Sequence, residues 1–283
     1  MNNQDKRLKN LFPAAMHNAV MEIFGEQLIY SYLIGLLSAP VPTAATQDPQ
    51  IDSYCDDMLH PREITVLSGY RFVKRRSEYL TGRVCAKLAI EGLLNLTETC
   101  ASPLKLSEIE ITSTESGRPN IRFDTPEAGE LNMDLSISHS GDYGVALAAE
   151  SKCGIDLQLQ QASLLRVQEK FCSDSEYNLL AKSASHSDPL TRLAVLWASK
   201  EAAKKALSYW QMPGFLDLEI WEVENISNYF ALSLRVPHAM RRPMPEKVTV
   251  VAGMLKNYAM AICLINEDYR DAGITRHGIP VFI

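Results

Sequence analysis

Residues 193–207 contain neither Gly nor Pro and are dominated by Ala, Leu and Lys, which predicts a long helix. At helical spacing Trp197, Glu201 and Lys205 fall on one stripe, four residues apart each time. Alone, such a stripe reads as an exposed face whose Glu–Lys pair contributes about 0.2–0.5 kcal/mol. The segments upstream change that reading.

Those segments alternate as strands. Apolar Leu106, Ile109 and Ile111 precede a turn at Gly117-Arg118-Pro119-Asn120. Leu135-Ser136-Ile137-Ser138 alternates again. His139-Ser140-Gly141-Asp142 then turns the chain into a second strand at 143–149, leaving Ser138 and His139 at a hairpin rim. In the next strand Ile155, Leu157 and Leu159 take one face, Asp156 and Gln158 the other. Helices are expected at about 63–94, 164–171, 175–182 and 190–209, and strands at 218–223, 229–236, 248–254 and 258–265. Residues 39–51 read as a surface loop followed by Asp52, Asp56 and Asp57, and the stretch from about 267 as a weakly constrained tail.

The chain has 283 residues, 22% of them charged and 46% hydrophobic, values ordinary for a globular protein. A net charge of −6 argues against broad affinity for nucleic acid or anionic membranes. Six cysteines without a Cys-x-x-Cys pair suggest neither a zinc site nor a redox motif and fit a reducing cytoplasm. The apolar run at 28–37 is far shorter than the ~20 residues that span a bilayer, and Glu22 and Glu26 precede it. Positive charge concentrates in the predicted helix at 63–94, which carries Arg71, Lys74, Arg75, Arg76, Arg83 and Lys87. That face is either a solvated basic surface or a phosphate site.

A faint internal echo sets Arg75 against Arg192, so that Arg83 meets Lys200 and Lys87 meets Lys204; a second sets Tyr143 against Tyr258. It suggests two similar halves, each a long helix followed by antiparallel strands, with a cleft between them. Within that frame Asp156 projects from a strand and Glu201 from a helix beside lysines. Mg²⁺ prefers one or two protein carboxylates, phosphate oxygens and water. Arg75, Arg76, Arg83, Arg118 and His139 can hold further phosphates through charge-assisted hydrogen bonds. A substrate with a pyrophosphate and an additional phosphate suits this set; coenzyme A is one.

The chain resembles the 4′-phosphopantetheinyl transferases of the larger, surfactin/enterobactin-type group. The matching pieces are Lys74-Arg75-Arg76-x-Glu78-x-x-x-Gly82-Arg83, Gly117-Arg118-Pro119, Ser136-x-Ser138-His139-Ser140, Gly154-Ile155-Asp156 and Trp197-x-x-Lys200-Glu201-Ala202-x-x-Lys205. The resemblance implies Mg²⁺-dependent transfer of the phosphopantetheine arm from coenzyme A to a serine of an apo acyl or peptidyl carrier protein. It implies that Asp156 and Glu201 bind the metal, with Glu201 as general base. Lys205 and Lys200 would neutralise charge on the pyrophosphate, and Ser138, His139, Arg75, Arg83, Arg118 and Pro119 would hold the nucleotide, with Arg76 a further candidate. Many members carry an acid two residues after the first aspartate, where this chain has Gln158. A third metal ligand there would be an amide, predicting weaker Mg²⁺ binding.

The expected fold is α+β, with an N-terminal half at 1–153, including a poorly assigned lead-in at 1–60, and a C-terminal half at 154–283. Such a chain needs no second copy to build its site, so a monomer is expected. A non-catalytic module that binds coenzyme A or carrier proteins is the alternative. It is disfavoured because pure binding has no use for the proposed base. A nucleic-acid-binding role is disfavoured by the net charge and the lack of a second basic element.

Overall fold

The computed structural model describes residues 8–25, 27, 29–37, 57–97, 104–124, 133–184, 187–236 and 244–265. The loop expected at 39–51, Asp52 and Asp56, the tail from 267, and Cys55 and Cys100 lie outside them. The elements run α1 (Ala14–Phe24), β1 (Ile29–Gly35), α2 (Pro61–Gly69), α3 (Val73–Thr97), β2 (Ile109–Ser113), β3 (Pro119–Phe123), β4 (Asp134–Ser140), β5 (Tyr143–Ala149) and β6 (Lys152–Leu159). There follow α4 (Ser163–Val167), α5 (Asp174–Ser183), α6 (Pro189–Leu207), β7 (Glu219–Ile226), β8 (Tyr229–Arg235), β9 (Lys247–Leu255) and β10 (Tyr258–Ile265). Among the described residues no helix is long and apolar enough to cross a membrane.

The α+β expectation holds. Among the described residues three antiparallel sheets form, ordered β1-β5-β4, β6-β10-β9-β8-β7 and β2-β3. The first two lie face to face, and Leu33, Val145 and Leu147 meet Ile155, Leu157 and Ile262 between them. On the outer face of the first sheet, α3 packs over Tyr32, Ile34, Ala146 and Ala148. On the outer face of the second, α6 packs over Val250, Ala259, Ala261 and Cys263. Helix, sheet, sheet and helix thus stack in four layers. Strands covered on both faces lose their polar alternation, hence the apolar runs of β5 and β10.

Two elements differ from expectation. The helix expected at 63–94 is two helices, because the backbone is extended at Tyr70, just after Ser68-Gly69. Helix α2 starts at Pro61 behind a reciprocal cap between His60 and Glu63. The lead-in contains a true helix, α1, whose Met16, Ala19 and Val20 seal the core between the sheets.

The order strand, short helix, long helix and two hairpins runs from β1 to β5 and recurs from β6 to β10 with α4 as an added short helix, and a like brace holds each long helix. Glu63 caps α2, accepts the Ile111 amide at 2.9 Å and pairs with the buried Lys87 at 2.7 Å. Glu176 caps α5, accepts the Ile220 amide at 2.9 Å and pairs with the buried Lys200 at 2.7 Å. Lys87 is therefore the counterpart of Lys200, and the gapless alignment that gave Arg83 that place is off by one helical turn. Tyr143 opens β5, between β1 and β4, and Tyr258 opens β10, between β6 and β9; their rings meet edge to face, centroids 5.1 Å apart.

Gly154 lets β6 approach α6 closely: a methyl there would run into the Ala202 carbonyl oxygen and the Ala206 amide. Both obstacles are backbone and cannot rotate away. Gly154→Ala is therefore expected to cost about 3 kcal/mol, the upper end for an overpacked core. Urea unfolding checks this, and a loss under about 0.5 kcal/mol would contradict the packing described.

Candidate functional site

Strand β6 hydrogen-bonds to β10 along one edge. Its other edge faces β4, and side chains take the place of a partner backbone. Asp134 Oδ2 accepts the Cys153 amide at 2.6 Å, Ser136 Oγ accepts Ile155 at 3.0 Å, Ser138 Oγ accepts Leu157 at 3.2 Å and Ser140 Oγ accepts Leu159 at 3.0 Å. Alternation along β4 aims every second side chain at this seam. Four backbone donors that would otherwise be orphaned are satisfied, each bond contributing about 1 kcal/mol.

Asp156 sits on this seam and is 6% exposed. Its Oδ1 accepts the Ser138 hydroxyl at 2.8 Å and the Lys205 ammonium at 2.8 Å. Lys205 Nζ also donates to the carbonyls of Ile155 and Ile137, so one ammonium joins α6, β6 and β4. Asp156 Oδ2 is buried and has no hydrogen-bond partner. An orphaned carboxylate oxygen in such a place is costly unless a cation meets it. Glu201 lies one turn before Lys205 on α6, is partly exposed, and accepts Lys204 Nζ at 3.0 Å. Gln158 is buried, and its amide nitrogen donates to the Leu159 carbonyl at 2.7 Å. Among the described residues no group of three or more His, Cys, Asp or Glu side chains could hold a metal. The free carboxylate oxygen of Asp156, with the Gln158 amide two residues on and Glu201 one turn from Lys205, is a donor set whose chemistry fits an open Mg²⁺ site completed by phosphate and water.

Next to the seam, a cleft of about 330 Å³ is lined by Tyr70, Arg75, Glu78, Tyr79, Gly82, Arg83, Ile137 and His139. Glu78 gathers its charges: Arg75 Nη1 lies at 3.0 Å, Lys74 Nζ at 3.8 Å and His139 Nδ1 at 3.8 Å. Arg83 lies over the Tyr79 ring at 4.5 Å, with its Nε 3.6 Å from Glu63. Sequence reasoning gave Glu78 no role, although its spacing from Lys74 and Arg75 already marked a helical ion-pair stripe.

Of the residues singled out from sequence, Asp156, Ser138 and Lys205 are in direct contact, and His139, Arg75 and Arg83 share the adjoining cleft. Four further phosphate-binding candidates do not line that cleft. Lys200 is fully buried on Glu176 and the Phe215 carbonyl, so it braces α6 and does not face the cleft. Arg118 is turned to Asp134, the Lys205 carbonyl and Ser208. Arg76 is 5% exposed and its Nε has no partner in the structure. Pro119 opens β3 and is not among the cleft residues. A motif match fixes a position along the chain but not the direction of its side chain, so the partners of Lys200 and Arg118 emerge only in the folded structure.

Burial pushes the His139 pKa down, and Lys205 and Arg75 add to this, while Glu78 and Asp156 oppose it. A depressed folded-state value means that protonation favours the unfolded chain. Stability is then fully present above the ordinary imidazole value and is lost as the pH falls through the folded one. An NMR titration, assigned with His139→Gln, should give a midpoint below that of exposed histidines. A midpoint at or above theirs would contradict the placement.

Residues 152–263 match the model of the 4′-phosphopantetheinyl transferase superfamily, and residues 49–152 that of the 4′-phosphopantetheinyl transferase N-terminal family. No curated protein sequence matches the chain. Similar solved structures include holo-ACP synthase from Plasmodium yoelii, at 19% identity and a TM-score of 0.32, covering 42% of this chain and 90% of that one. Another is Helicobacter pylori holo-[acyl-carrier-protein] synthase in complex with coenzyme A, at 18% identity and a TM-score of 0.32, covering 43% and 97%. These likenesses are partial, and the assignment rests on the family models. Those models meet at residue 152, where β6 begins, and the superfamily model holds both Asp156 and the α6 stripe of Glu201 and Lys205. Matched from residue 49 to residue 263 by two models in succession, consistent with the larger surfactin/enterobactin-type group, the chain belongs to the 4′-phosphopantetheinyl transferase superfamily.

Proposed function

We propose that the protein transfers the 4′-phosphopantetheine arm of coenzyme A to a serine of an apo acyl or peptidyl carrier protein, with Mg²⁺, releasing adenosine 3′,5′-bisphosphate. The observation that carries this reading is the buried, partnerless Oδ2 of Asp156 beside the Lys205 ammonium. The family assignment supports the chemistry, and the coenzyme A named for the Helicobacter pylori structure is in keeping with it.

In this reading Asp156, through Oδ2, and Glu201 hold the metal, with Gln158 as a neutral third donor. When bound, Mg²⁺ neutralises the diphosphate and favours attack on it. Ser138 fixes the Asp156 carboxylate by donating to Oδ1. Glu201 accepts the proton of the carrier serine, directly or through water. The serine oxygen forms a bond to the phosphorus bearing pantetheine as the bond from that phosphorus to the bridging oxygen breaks. Lys205 bears on the charge left there. Arg75, Arg83 and His139 take the remaining phosphate in the cleft. A division into similar halves at residue 153 and residence in the cytoplasm belong to the same proposal, as does a monomer, since both carboxylates come from one chain.

The test is incubation with coenzyme A, Mg²⁺ and an apo carrier protein, followed by intact-mass measurement of the carrier. A mass gain of one phosphopantetheine arm is expected, abolished by chelator and by Asp156→Asn. Tight coenzyme A binding with no modified carrier would point instead to a binding module.

Gln158→Glu restores a negative charge at the third position. The Mg²⁺ concentration for half-maximal turnover is expected to fall several-fold. An unchanged requirement would place Gln158 away from the ion.

A further inference from the structure

Arg118 is only partly exposed, and its guanidinium spans two parts of the site without entering the cleft. One nitrogen, Nη1, donates to the Lys205 carbonyl and, at 3.0 Å, to Ser208 Oγ; the other, Nη2, donates to Asp134 Oδ2. Ser208 is the C-cap residue of α6, and its hydroxyl also donates to the Lys205 carbonyl at 2.6 Å. The last carbonyls of a helix have no intrahelical partner and carry the negative end of its dipole. A guanidinium there supplies both donors and charge. Asp134 heads the row of β4 side chains whose third member, Ser138, orients Asp156.

We propose that Arg118 is a positioning residue: it clamps the C-terminal end of α6 to the head of the β4 row and thereby sets Lys205 against Asp156. The guanidinium fork suits this task because it reaches a carbonyl and a carboxylate at once, as a lysine ammonium does less well. Arg118 does not hold the nucleotide. This inference rests on the transferase reading, and the two fail separately. Absence of carrier modification by the wild-type protein overturns the reading itself, whereas the clamp is tested by variants of an active enzyme.

Arg118→Lys and Arg118→Gln are assayed well below their melting temperatures, with coenzyme A and carrier concentrations varied independently. Displacement of a reacting group by about 1 Å costs about 10²-fold. The expected outcome is a fall in kcat of about 10²-fold for Arg118→Gln, with the KM for coenzyme A within about threefold of wild type, as an indirect role implies. Arg118→Lys, which keeps one bond and the charge, should recover part of the kcat. If Arg118→Gln does not fold, Arg118→Lys alone decides by the same split. A raised KM for coenzyme A with kcat retained would make Arg118 a nucleotide ligand and overturn the proposal. Unchanged kinetics would overturn it too.

Discussion

The site depends on the seam between β4 and β6. A strand edge left open inside a protein strands its amide donors, and a second strand is the usual remedy. Here the remedy is a row of short side chains, Asp134, Ser136, Ser138 and Ser140, each accepting one β6 amide. Because the partner is a side chain, the two sheets stay face to face instead of merging into one. Ser138 is the point where this structural row turns into chemistry, since it accepts from Leu157 and donates to Asp156 at once.

The two halves of the element order, β1–β5 and β6–β10, carry like braces but differ at the proposed site. The Glu63–Lys87 and Glu176–Lys200 pairs set the long helices in register. In that register Leu88 stands where α6 has Glu201, and Gly92 where it has Lys205. Gly92 lies against the Tyr30 ring, so the first half fills with an aromatic side chain what the second leaves to charge. Buried Leu88 has no acid to offer. The carboxylates and the ammonium therefore belong to β6 and α6, while the first half contributes β4 and the basic cleft along α3.

Much of this was legible in the sequence. Alternation at 155–159 placed Asp156 and Gln158 together on the face opposite Ile155 and Leu157, and β6 has them so. The stripe of Glu201 and Lys205 needed only helical spacing. What could not be read were interactions between segments distant along the chain. The β4 serines look like ordinary strand alternation until β6 is laid beside them. Lys200 and Arg118 sit in stretches expected from the resemblance to bind phosphate, yet Glu176 and Asp134 claim them, and neither acid adjoins its partner in sequence. Buried charge goes where desolvation is best compensated, and only the tertiary arrangement decides that.

In the proposed transferase the oxygens of Asp156 and Glu201 would meet on a single divalent ion. Mn²⁺ binding followed by electron paramagnetic resonance, with coenzyme A present, tests it without relying on turnover. The account predicts one tightly bound Mn²⁺ in the wild-type protein and at least about tenfold weaker binding in both Asp156→Asn and Glu201→Gln, a penalty of about 1.4 kcal/mol each. Undiminished Mn²⁺ affinity in either variant would contradict it.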